Sequence, residues 1–298
     1  MFLRSLISQF QSKIAADPLN PNLHFQYSNK AAKLGLSYLA YAELKTAKFL
    51  GADNPKVVQL ENIFRAKLPD PKEMNHNQYF RFKSLSSEII RRGNPDRLSI
   101  LDVGGGHGEL GAFVSEASYC LAEPSINGIS GMDLPFPDRS FDYVVACHVL
   151  EHIPKENRND FLDQLLSKAR VGVILLNPFY IKNSYIEERL KLIIEVTNAQ
   201  WAKEHLECSL PKIEDIEAYA TNRGLQYSVH PNGTLTTTMA FVFIDYFAQR
   251  SLAKEKLRKI NSFFNEKYFK ILNSFDFPTG YLFYLGSPSK YFNSQKQN

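Results

Sequence analysis

The stretch Leu98-Ser-Ile-Leu-Asp102-Val-Gly-Gly-Gly-His-Gly108 decides the fold. Leu98, Ile100, Leu101 and Val103 make a short apolar run suited to a strand buried on both faces. Asp102 interrupts the run, and glycines follow at 104, 105, 106 and 108. With no Cβ in the way, the backbone can turn sharply there and approach a ligand closely. A helix is predicted from about His107, with its free N–H groups directed back at whatever occupies the turn. The arrangement is a nucleotide-type site, and its charge decides which nucleotide.

Gly106, Gly108 and Gly111 satisfy G-x-G-x-x-G, the dinucleotide fingerprint. Asp102, Gly104, Gly106 and Gly108 also satisfy acid-x-G-x-G-x-G, which resembles motif I of the class I S-adenosylmethionine-dependent methyltransferases. A carboxylate at that place repels a pyrophosphate and attracts a cationic cofactor, which favours the methyl donor over NAD. Glu123 closes a second short strand, Tyr119 to Glu123, at a distance that suits ribose hydroxyls in either class. The segment Met132-Asp-Leu-Pro-Phe-Pro-Asp-Arg-Ser-Phe-Asp to Leu150-Glu-His-Ile-Pro154 is similar to the L-P-F-x-D-x-S-F-D and L-E-H-I segment of ubiquinone and menaquinone methylases. The resemblance covers Tyr79 to Phe179. It implies cofactor contacts at Asp102, Gly104, Gly105, Gly106, Gly108, Glu123, Asp133, Leu134 and His148. Between Glu123 and Asp133 the sequence departs from the family, because the usual helix there is nearly absent.

The chain has 298 residues, enough for a sizeable core. Its 35 basic and 31 acidic residues give a net charge of +4 and no like-charged run of the kind that binds nucleic acid. Cys120, Cys147 and Cys208 lack paired metal spacing and suit reduced thiols. Met1 to Phe10 does not read as a secretory signal, and no apolar run reaches the ~18 residues needed to span a bilayer. A cytoplasmic protein is expected.

Residues 1–68 read as a helical unit, with breakers at Asp17 to Pro21, Gly35 and Gly51. Gly35, Ala40, Ala47 and Pro55 resemble the spacing of a tetratricopeptide repeat, although His24 stands where an aromatic is usual. One such repeat cannot bury its apolar face alone. The expectation is a hairpin packed on the catalytic domain, the alternative a module that docks a protein partner. Pro69 to Glu73 reads as a linker and Asn75 to Arg92 as a helix, with Tyr79 and Arg81 as candidate cofactor contacts.

Residues 75–298 are expected to form the methyltransferase domain, a doubly wound Rossmann-like α/β sheet of seven strands. Phe141 to Cys147, Val171 to Leu176, Leu225 to His230 and Gly280 to Leu285 supply the fourth to seventh. Lys155 to Ala169, Lys182 to Leu206 and Pro211 to Arg223 read as helices. Asn177-Pro-Phe-Tyr180 follows the fifth strand and lacks the second proline of N-P-P-Y, so it carries no chemical signal here. A helical insertion is expected over about 231–278. Its first helix carries Met239, Phe241, Phe243, Tyr246 and Phe247, and its second Leu257, Ile260, Phe264, Tyr268 and Ile271.

Methyl transfer needs orientation of donor and acceptor, and for some acceptors a base. His152 is the first candidate because an imidazole titrates near neutrality, with His148 and Glu151 beside it. Glu204 and His205 form a second pair that could face the acceptor. The resemblance to quinone O-methyltransferases raises the question of a divalent metal, but one carboxylate and one histidine are too few ligands and no metal is expected. The expected cofactor is S-adenosylmethionine and the acceptor is small or glycan-linked. Trp201 to Pro211, with His230-Pro-Asn-Gly233, resembles methyltransferases of surface-polysaccharide assembly. The rival reading is a cofactor-binding scaffold that docks a partner without turnover.

Overall fold

The computed structural model describes residues 2–52, 55–182, 184–250, 253–267 and 277–286. Four helices come first: α1 (Phe2–Ala16), α2 (Pro21–Lys33), α3 (Ser37–Phe49) and α4 (Lys56–Ala66). After α5 (His76–Arg92) the chain alternates through β1 (Ser99–Val103), α6 (Leu110–Phe113), β2 (Ser118–Ala122), β3 (Phe141–Cys147), α7 (Arg158–Lys168) and β4 (Ala169–Asn177). Three helices follow, α8 (Ile186–Thr197), α9 (Gln200–Cys208) and α10 (Ile213–Asn222). Then come β5 (Gln226–Asn232), α11 (Leu235–Arg250), α12 (Lys254–Lys267) and β6 (Gly280–Gly286).

The described sheet has six strands in the order β2-β1-β3-β4-β6-β5, with β1 to β4 parallel and β6 antiparallel to both its neighbours. The α/β class stands, and the seven-strand expectation is corrected to six. The missing strand belongs beyond β2. There Pro124, Gly128 and Gly131 break the chain, and residues 123–140 run as turns and loop.

Side chains take the place of that strand. Thr46 Oγ1 of α3 accepts from Leu121 N at 3.0 Å, and Asn127 Nδ2 donates to Leu121 O at 2.9 Å. These bonds satisfy backbone groups that an edge strand otherwise leaves open. Asn127 Nδ2 also donates to Glu43 Oε1, whose other oxygen lies 2.6 Å from His24 Nδ1. Residues 39–47 of α3 are all buried, so the helix is enclosed on every side. A Cβ on Gly108 would meet that of Ala42 at 2.3 Å; glycine there lets α3 lean on the turn after β1. One apolar core runs from Phe10 and Tyr27 through Leu39 and Leu44 to the strands.

The single helix expected over 182–206 is two. Asn198, at φ 53°, ends α8, and α9 starts afresh. The insertion contains the two expected helices, α11 and α12; Leu252, Tyr268 and Ile271 lie outside the described residues. α8, α9 and α11 share a satellite cluster, Leu190, Ile193 and Ala202 with Met239, Val242 and Phe243 against them, separate from the main core.

Candidate active site

β1 carries Asp102 to its carboxyl end, 1% exposed. Tyr119 OH donates to Asp102 Oδ2 at 2.6 Å, while Oδ1 is buried with no hydrogen-bond partner among the described residues. The backbone then turns through Gly106 at φ 56°, a conformation that strains any residue with a Cβ. Glu123, just past β2, accepts from Gly106 N at 3.1 Å, and Glu109 Oε2 would lie 3.5 Å from a Cβ on Gly106. Burial raises the Asp102 carboxyl, the Tyr119 hydrogen bond opposes it, and Glu109 and Glu123 add to the rise, leaving it at about 7. Three carboxylates around one glycine turn repel a pyrophosphate and complement a cation.

The other expected cofactor positions divide. His148 follows β3 and Val149 covers the turn: a Cβ on Gly104 would sit 2.4 Å from Val149 Cγ2. Asp133 is exposed, and Leu134 is buried in the main core with its N–H on Gln164 Oε1 at 3.4 Å.

Beside this cradle the candidate catalytic residues converge. His148 takes φ 56°, a conformation that costs a side-chain-bearing residue about 1–3 kcal/mol, and its N–H donates to Leu176 O at 2.8 Å. Its Nδ1 lies 3.1 Å from Glu151 Oε1, and His205 Nε2 of α9 lies 3.7 Å from the same oxygen. Asn177 Nδ2 donates to the other Glu151 oxygen. His152 Nδ1 is 2.9 Å from Glu204 Oε2, and the His152 and His205 rings meet edge-on at 4.8 Å. Burial works against the Glu151 charge, but the His148 imidazole outweighs it and holds the carboxyl at about 2. Burial lowers His148 and brings His205 to about 4, so both rings are neutral at pH 7.

Glu151, His152 and His205 could also hold a metal ion, since their ligand atoms all lie within 4.8 Å of one another. The ligand count made from the sequence missed His205, which α9 brings in from more than 50 residues away.

A cavity of about 770 Å³ opens at the ends of β3 and β4. His148, His152, Trp201, His205 and Tyr246 line it, together with apolar residues of α8 and α11. Trp201 packs edge-on against His205 with centroids 5.2 Å apart.

The profile of the methyltransferase domain family matches residues 76–228. The match takes in the glycine turn, β1 to β4 and the histidine cluster, and it covers half of the chain; the chain belongs to this family. It is an S-adenosylmethionine-dependent methyltransferase. The cradle fits that cofactor: Asp102 Oδ1 has no hydrogen-bond partner among the described residues, and at Gly106 the turn leaves room that a Cβ would fill. No curated protein matches the chain. Solved structures similar to it include an S-adenosylmethionine-dependent methyltransferase from Archaeoglobus fulgidus, 16% identical with a TM-score of 0.44, over 70% of this chain and 96% of that one. Magnesium protoporphyrin IX methyltransferase from Synechocystis PCC 6803, with bound S-adenosylhomocysteine, is 14% identical with a TM-score of 0.42, over 82% and 93%. Phosphoethanolamine N-methyltransferase 2 from Haemonchus contortus is 15% identical with a TM-score of 0.40, over 68% and 52%. The family match begins at residue 76 and assigns nothing to the helices before it, so the tetratricopeptide resemblance gains no support there.

Sequence reasoning set Asn177 aside. Asn177 sits in the very segment set aside for lacking the N-P-P-Y pattern, and its signal is a buried amide beside a buried carboxylate.

Proposed function

We propose that the enzyme methylates a small-molecule acceptor, glycan-linked acceptors included, seated in the 770 Å³ cavity with His152 as general base. The observation that supports this reading is the shared wall. The segment after β3 (His148, His152), α9 (Trp201, His205) and α11 (Tyr246) contribute to one cavity, and His148 in its wall is followed by Val149, which packs against Gly104 of the glycine turn. S-adenosylmethionine, when bound, supplies an electrophilic methyl group on a sulfonium.

The chain's own residues then have three tasks. Asp102, Glu109 and Glu123 hold positive charge at the turn. Trp201 and the apolar wall orient the acceptor and exclude water. His152 accepts the acceptor's proton, with Glu204 Oε2 2.9 Å from its Nδ1. We further propose that residues 1–68 are an integral part of the catalytic unit, because α3 carries the buried contacts of β2.

The test is transfer of labelled methyl from S-adenosylmethionine to a small-molecule extract, with and without a metal chelator. The expected result is a labelled small product, undiminished by chelation and lost in His152→Ala. Label found on protein or nucleic acid instead would contradict the reading, and loss on chelation would turn the Glu151, His152 and His205 trio into metal ligands.

A further inference from the structure

The acceptor cavity carries charge that methyl transfer does not use. Arg81 of α5, Arg189 of α8 and Arg250 of α11 line it, against the single carboxylate of Asp245. None of these three guanidinium groups forms an ion pair among the described residues; the arginines that pair with acids lie elsewhere. Asp245 is itself engaged by Gln249 Nε2 at 2.6 Å.

The hydrogen bonds the arginines do make leave most of their donors unused. Arg81 Nε donates to Asn77 O at 3.2 Å. Arg250 donates one N–H to Tyr246 O at 3.0 Å and stacks its guanidinium 3.5 Å from the Tyr246 ring centroid. A guanidinium has five N–H donors in a planar fork, a shape that matches carboxylate and phosphate oxygens. An excess of one charge on a concave wall also raises the local concentration of opposite charge. Leu190, Met239 and Val242 line the same cavity and offer an apolar surface.

We propose that the acceptor is an anion: a molecule with an apolar or ring body and a carboxylate or phosphate group that Arg189 and Arg250 receive. The inference rests on the reading of this cavity as the acceptor pocket. Arg81 belongs to α5 and is a candidate cofactor contact, so the discriminating variants are made at the other two arginines.

Trp201 is the chain's single tryptophan and lines the cavity, so its fluorescence reports occupancy. The full-length protein, saturated with S-adenosylhomocysteine, is titrated with phenyl phosphate, benzoate and benzyl alcohol at constant ionic strength. The expected result is saturable binding of at least one anion, about tenfold tighter than the neutral alcohol. The tighter of the two anions tells phosphate from carboxylate. Arg189→Gln and Arg250→Gln are each expected to weaken that anion at least about fivefold, with cofactor affinity and thermal midpoint unchanged, and Arg189→Lys to recover part of the loss. That loss corresponds to about 1 kcal/mol. Equal binding of alcohol and anions, or anion binding untouched in both glutamine variants, overturns the proposal and leaves the pocket reading in place. A fluorescence that responds to none of the three probes overturns both.

Discussion

At the end of β1 the cofactor cradle is made by a few neighbouring residues and the backbone between them, on a strand whose five residues are all buried. Above β4 the proposed acceptor cavity is lined by residues of α5, α8, α9 and α11, the last three sharing a small cluster separate from the main core. The first region is local in sequence and fixed by a close-packed sheet. The second is assembled from distant elements, of which α8, α9 and α11 share a buried cluster apart from the main core. The contrast puts cofactor binding in a part of the molecule where single substitutions act sharply. On the proposed reading, acceptor choice is left to α8, α9 and α11, which rest on the separate cluster.

The sharpest break of this contrast is Gly106→Val. Only Glu109 lies near the added Cβ, at 3.5 Å, so the protein itself has room while a cofactor does not. Calorimetry is expected to show methyl-donor binding lost by more than about 100-fold, and circular dichroism a folded sheet; the φ of 56° adds about 1–3 kcal/mol of strain. Retained affinity would remove the turn from the cofactor site.

The next largest effect is on the helices that close β2. His24 faces Glu43 Oε2 at 2.6 Å and Pro18 O at 2.9 Å, so both ring nitrogens donate and the ring is charged. Burial lowers its pKa, but Glu43 and the Pro18 carbonyl outweigh burial and the net shift is upward. A raised folded pKa contributes stability that is full below the ordinary histidine value of about 6.5 and is lost as pH rises through the folded value. The thermal midpoint is therefore expected to fall as pH rises above 6.5. Glu43→Ala is expected to flatten that slope and cost about 3–5 kcal/mol, the price of breaking a buried pair. An unchanged midpoint would show that the helices are dispensable to the sheet and reopen the docking reading.

Asp102→Asn is a smaller change. Losing a charge-assisted contact costs about 1.5–3 kcal/mol, or roughly 10- to 150-fold in cofactor affinity. Because the Asp102 carboxyl stands at about 7, wild-type affinity is expected to rise from pH 6 to pH 8 as the carboxylate ionises. The variant should lack that rise. A parallel rise in both proteins would assign it to another group.

The sequence made the cradle legible because its chemistry is contiguous: an acid, a glycine turn and a second acid, each set by backbone geometry. It did not reveal the loss of a strand, because Thr46 and Asn127 become the edge of β2 only after α3 has folded against it. The pairs His148–Glu151 and Glu204–His205 were both visible, but their meeting depends on the break at Asn198 that sets the direction of α9. Arg189 and Arg250 carry no local signature on exposed-looking helices. Their proposed role follows only from the cavity they share.

The most direct measurement of the account is cofactor affinity and methyl-transfer turnover, taken separately, in His152→Ala. The account expects turnover to fall about 100-fold or more, as removal of a general base does, with S-adenosylmethionine affinity unchanged. Turnover equal to wild type, or affinity and turnover falling together, would contradict the division of the site into a cofactor cradle and a separate acceptor cavity.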